Sequence, residues 1–149
     1  MASLEIDFGE DFLSDLLDAD TNRLCEEMLT ESAAILETTL KQETNRAVKH
    51  PGESELAESV KACKAKRAKN GAYIVNVNFK GNSAVKKYTA VSGKRRKYPV
   101  SNALKAIWKE YGIPGRQAPH PFINMSVRKA EPQISAKMQE IYNRRTGIT

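Results

Sequence analysis

The chain has 149 residues, enough for one domain with a modest core and too few for two. Hydrophobic residues make up 40% and charged residues 28%, and no apolar run is long enough to cross a bilayer as a helix. The net charge of +6 conceals an asymmetry: residues 1–60 carry fifteen acidic and four basic side chains, residues 61–149 three and twenty. Such a split suits nucleic-acid contact by the basic half, or head-to-tail contact between the acidic half of one copy and the basic half of the next. Two differently charged solvated faces would look the same. The acidic start lacks the basic and apolar segments of a signal peptide, and Cys25 and Cys63 lie far apart, so both thiols are expected to be reduced in a cytoplasmic setting.

In chain order, Leu4, Ile6 and Phe8 alternate with acidic residues and suggest an extended start. Phe12, Leu13, Leu16 and Leu17 mark about two helical turns. Asp20 or Thr21 can cap a long helix over about Asn22 to Ala47. Its stripe is Leu24, Met28, Ile35, Leu36 and Leu40; Glu26, Glu27, Glu31, Glu37 and Glu43 are expected in solvent, and Arg46, Lys49 and His50 complement the helix dipole. Pro51-Gly52 ends it, and Glu53 to Glu58 reads as a polar connector with at most a short helical turn.

Two strands follow, Ser59 to Lys66 and Ala72 to Phe79, joined through Asn70-Gly71 as an antiparallel hairpin. In the second, Tyr73, Val75, Val77 and Phe79 share one face and Asn76 and Asn78 the other. Lys80 to Tyr98 is basic and irregular, with Lys86, Lys87, Lys94, Arg95, Arg96 and Lys97. Val85, Tyr88, Ala90 and Val91 suit a short strand or an extended arm.

The stretch from Pro99 to Phe122 is the most tightly specified. Val100, Ala103, Leu104, Ile107, Trp108 and Tyr111 follow the spacing of a helix with one buried face. Pro99 suits its first turn, Gly112 a left-handed position after its last, and Pro114 forbids continuation. Pro121 can start another helix, with Phe122 dropping into the core. Met125 and Val127 continue a short helix, Pro132 opens a last one carrying Ile134, Met138, Ile141 and Tyr142, and a basic tail closes the chain.

Chemistry has little support. His50 and His120 lack neighbours at metal-ligand spacing, Glu110 has no second carboxylate nearby, and no phosphate loop or nucleophile elbow occurs. No catalytic residue, metal or cofactor is expected. Lys94-Arg95-Arg96-Lys97-Tyr98 suits phosphate contact with stacking, which makes a free, non-specific nucleic-acid-binding protein the alternative reading.

The order of elements resembles the head–tail joining family of tailed bacteriophages, variously called neck, tail-completion or minor tail component proteins. The signature step is Glu110-Tyr111-Gly112 followed by Pro119-His120-Pro121-Phe122, and the connector Pro51 to Ser59 keeps Pro51, Leu56 and Ser59 of the family pattern. The resemblance covers roughly residues 22–145, with 1–21 as an N-terminal extension, 80–98 as a basic arm longer than usual and 146–149 as a tail, in one domain. It implies an α+β fold in which long N- and C-terminal helices pack on a small antiparallel sheet. It also implies a non-catalytic virion protein assembled in the host cytoplasm as a ring, sixfold or twelvefold, between portal and tail. Adjacent connector or head-closure and tail-terminator or tail-tube proteins would be its neighbours, with non-specific contact to passing DNA and none to membrane. Tyr111 and Phe122 would anchor the loop in the core, Gly112 would supply a positive φ, and Pro119 and Pro121 would stiffen the interface loop. The resemblance assigns the longer arm no role; its basic residues by themselves suit an assembly arm or a DNA-facing one.

Overall fold

The computed structural model describes residues 2–6, 21–48, 54–89 and 93–147. Its helices are α1 (Thr21–Ala47), α2 (Ser54–Glu58), α3 (Asn102–Tyr111) and α4 (Phe122–Thr146). One antiparallel sheet is built on a central strand, β4 (Tyr73–Phe79). β1 (Ala2–Ile6) lies on one edge of it, and β2 (Val60–Ala62) and β3 (Lys66–Arg67) follow one another on the other. A separate antiparallel hairpin holds β5 (Asn82–Thr89) and β6 (Arg95–Ser101). This is the expected α+β arrangement of long terminal helices on a small sheet. The expected helix at Phe12 to Leu17, the Asp20 cap, and Lys49, His50, Pro51 and Gly52 lie outside the described residues.

Strict alternation makes β4 the floor of the core: Tyr73, Val75, Val77 and Phe79 are buried, while Ile74, Asn76 and Asn78 are half-buried on the opposite face. α1 lies over the buried face with Cys25, Leu29, Ala33, Leu36 and Leu40, joined by Phe122, Ala130 and Ile134 of α4. Because α1 touches both the sheet and α4, its buried stripe is broad. Ser32 and Thr44 lie fully within it, their hydroxyls each donating to a carbonyl one turn back at 2.6 Å (Met28 and Leu40), so neither buried hydroxyl is left without an acceptor.

The edge opposite β1 is interrupted where a single strand was expected. Ala62 pairs with Val77 but Lys66 with Ile74, so three residues on the edge (63–65) face two on β4 (75 and 76), the mark of a bulge. The Cys63 N–H still reaches the Asn76 carbonyl at 2.7 Å, and Ala65 packs against the core. Asn70-Gly71 turns the chain as its sequence suggests: Gly71 has φ 89°, and the Asn70 side chain accepts the Ala72 N–H at 3.1 Å.

Three α1 glutamates expected in solvent instead tie the layers together. Glu43, only 6% exposed, accepts from Lys129 of α4 at 2.6 Å and Arg46 at 2.8 Å through one oxygen. Glu27 pairs with Arg144 and Arg145 at the end of α4, and Glu37 accepts the outward-pointing Ala62 N–H at 2.9 Å while holding Lys41 at 2.6 Å. The hydrogen bond from Lys129 holds the Glu43 carboxyl below the usual carboxylate range, and that from Arg145 does the same for Glu27. At Glu37 burial pushes upward, but Lys41 and the Ala62 N–H together outweigh it.

Two other expectations are corrected. The C-terminal region is one 25-residue helix, with Pro132 inside it rather than opening a second. Pro132 lies on the exposed side, where the carbonyl of Arg128, left without its usual donor, can be hydrated. The stretch from Lys80 to Tyr98 is not irregular but mostly the β5–β6 hairpin, whose connecting residues 90–92 are not among those described.

Candidate functional site

Pro99 does not start the helix; it belongs to β6, and Ser101 caps α3 by accepting the Leu104 N–H at 3.1 Å. The next residue, Asn102, clamps the base of the hairpin. Its backbone N–H donates to the Gly81 carbonyl at 2.9 Å and its side-chain amide to the Lys80 carbonyl at 2.8 Å, while its buried Oδ1 has no hydrogen-bond partner.

This clamp sets the rotation of α3. Asn102, Ala106 and Glu110 face inward, at i, i+4 and i+8, instead of the apolar series read from the sequence. Consequently Ile107 is 40% exposed and Tyr111 76%, which overturns the expectation that Tyr111 anchors the loop in the core. Met125 and Val127 at the start of α4 are each 41% exposed.

Glu110 explains why a carboxylate occupies the buried side. It reaches over the first turn of α4, Oε2 accepting the Ile123 N–H at 2.8 Å and Oε1 the Asn124 N–H at 3.2 Å. Pro121 at the N-cap position offers no side-chain cap, so Glu110 supplies from a distance what Ser or Asp supplies locally. A negative group there also complements the helix dipole. The same carboxylate is thereby engaged structurally.

Between these anchors the loop is tied to itself. Ile113 and Gln117 exchange N–H···O bonds at 2.8 and 2.9 Å, and the His120 N–H donates to the Lys109 carbonyl at 2.9 Å. Gly112 has the positive φ expected of it (75°), although its ψ of 177° takes the chain outward rather than into a left-handed turn. A Cβ there would lie 2.6 Å from the Gln117 carbonyl oxygen and 2.7 Å from the Pro119 nitrogen, so the loop closes only over glycine. Phe122, fully buried as expected, meets Phe79 edge-to-face with centroids 6.1 Å apart. Pro119, His120 and Pro121 are exposed. An open concavity of about 540 Å³ runs along the loop beside Tyr111, Ile113, Pro114, Arg116, Gln117 and Pro119.

The structure therefore brings Glu110, Gly112, Pro119, Pro121 and Phe122 together around one stiff loop and turns Tyr111 out from it. The basic candidates stand apart: Lys86 and Lys87 on β5, Arg95, Arg96 and Lys97 on β6, and exposed Lys94 just before it. Sequence reasoning missed Asn102 and Ile107 as features of this site. A polar residue heading an amphipathic helix was the available signal for Asn102. Among the described residues no group of three or more His, Cys, Asp or Glu could hold a metal ion. The chain matches no family model, no curated protein and no solved structure.

Proposed function

We propose that this chain is a non-catalytic structural protein of a tailed-phage virion, whose copies form a ring in the neck that joins the tail to the portal-bearing head and lets DNA pass. The observation that carries the reading lies in the segment that bears the family-like motif. Glu110, Gly112 and Phe122 are engaged in holding a loop rigid, while the apolar stripe of α3 next to it, Ile107 and Tyr111, is left uncovered. A stiff loop beside an exposed tyrosine loses little conformational freedom on binding, and tyrosine is favoured at the centre of protein interfaces.

Sedimentation of the full chain, alone and mixed with connector and tail-tube proteins, tests the reading. Ring-sized species formed alone or on a partner ring are expected, with Tyr111→Ser preventing them. A chain that stays monomeric in every mixture, and whose Tyr111→Ser or Asn82–Lys97 deletion variants join tails to heads normally, would overturn it.

A further inference from the structure

From Ser59 to Lys109 the sequence holds fourteen Lys and Arg and no Asp or Glu. The hairpin accounts for six of them. Five more lie along one side of the main sheet: Lys61 on β2, Lys64 in the bulge, Lys66 on β3, Lys69 in the turn, and Lys80 where β4 ends beside Ser59. All five are exposed, and none forms an ion pair with a described residue. Glu37, whose carboxylate feels the charge of Lys61, is already committed to Lys41 and the Ala62 N–H. Lys61 and Lys66 sit opposite Asn78 and Ile74, on the face of β4 turned away from the core.

We propose that this lysine edge is a docking strip for the phosphate backbone of duplex DNA. The edge selects its occupant through what it lacks. Among the described residues the exposed large apolar side chains, Ile107, Tyr111, Met125 and Val127, all lie on α3 and α4, and none lies between 59 and 80. Protein interfaces need an apolar centre and are poor in lysine, whereas nucleic-acid interfaces are polar and strongly positive. With no exposed aromatic between 59 and 80, the edge offers single strands no stacking platform, which favours duplex backbone. Along a strand, Lys61 to Lys69 spans at most about 26 Å, roughly eight base pairs of rise.

The inference borrows from the proposed function only that DNA passes near the chain. Its test uses the isolated full chain, so either reading can fail without the other. The measurement is anisotropy of a labelled duplex of about 20 base pairs, titrated between about 50 and 200 mM salt. The parent is expected to bind with a log–log salt slope of about −4 to −5, as five phosphate contacts require. Lys64→Gln/Lys66→Gln/Lys69→Gln should weaken low-salt binding by about tenfold or more and flatten the slope by about 3, while Arg128→Gln on α4 changes the slope by no more than about 1. Circular dichroism melts check that the variants fold. Absence of duplex binding, an unchanged slope in the triple variant, or binding to polyglutamate but not to DNA would each overturn the proposal.

Discussion

The side chain of Glu110 caps a helix it does not belong to, its Oε2 lying 2.8 Å from the backbone nitrogen of Ile123. One carboxylate thus fixes the angle at which the chain leaves α3, crosses the loop and enters α4. Glu110→Ala would strip two N–H groups of their acceptor at a site with no local cap. It should lower stability by about 1–2 kcal/mol, a fall in Tm of roughly 3–8 °C for a chain of this size. Glu110→Gln keeps one acceptor oxygen and should lose less than half as much, measured by thermal unfolding of the two variants side by side.

Two glycines of the loop should behave differently despite similar backbone angles. Gly112 (φ 75°) has backbone atoms where a Cβ would go, whereas Gly115 (φ 72°) has nothing within 4 Å. Gly115→Ala should show only the strain of a positive φ, about 1 kcal/mol. Gly112→Ala must also push Gln117 and Pro119 away and should cost about 3 kcal/mol or more, with faster proteolysis of residues 113–119. Urea unfolding and limited digestion read the two effects.

Stability should fall in acid through the α1 glutamates. Glu27, Glu37 and Glu43 are held below the ordinary carboxylate value in the fold, so the unfolded chain binds more protons than the folded one as pH drops. Their contribution is complete above the unfolded value and is lost as pH falls through the lower folded ones. Glu43→Gln should therefore destabilise at neutral pH, by about 1–2 kcal/mol, and much less at about pH 3. A pH series of denaturant midpoints for parent and variant checks this; parallel curves would refute it.

Tyr111→Ser separates folding from assembly. With most of the ring in solvent, the change should shift monomer stability by no more than about 0.5 kcal/mol. At an interface centre the same truncation should weaken self- or partner association by about 30-fold or more. Melting and sedimentation of one preparation distinguish the two.

Long periodic segments were readable from sequence because burial alone shapes them. α1 begins at Thr21, one residue from the expected start, and β4 alternates as written. α3 was misread because its inward positions include Asn102 and Glu110, and what makes them inward is hydrogen bonding to Lys80, Gly81, Ile123 and Asn124, distant in the chain. No local pattern announces a buried polar residue whose partner lies thirteen or twenty-two positions away. Pro132 misled for a related reason: the punctuation rule is local, whereas the packing of Ala130, Ile134 and Ile141 against α1 carries the helix through it.

The loop after α3 divides its labour by position. Gly112, Ile113, Gln117 and the His120 amide fix its outline, all by backbone geometry, while the tip at Pro114, Gly115 and Arg116 is exposed and a Cβ at Gly115 would touch nothing. Shape and chemistry are therefore uncoupled there. Exchanges at Pro114 and Arg116 can change the surface the loop presents without disturbing how it is held, while Gly115, at φ 72°, is kept glycine by its backbone alone.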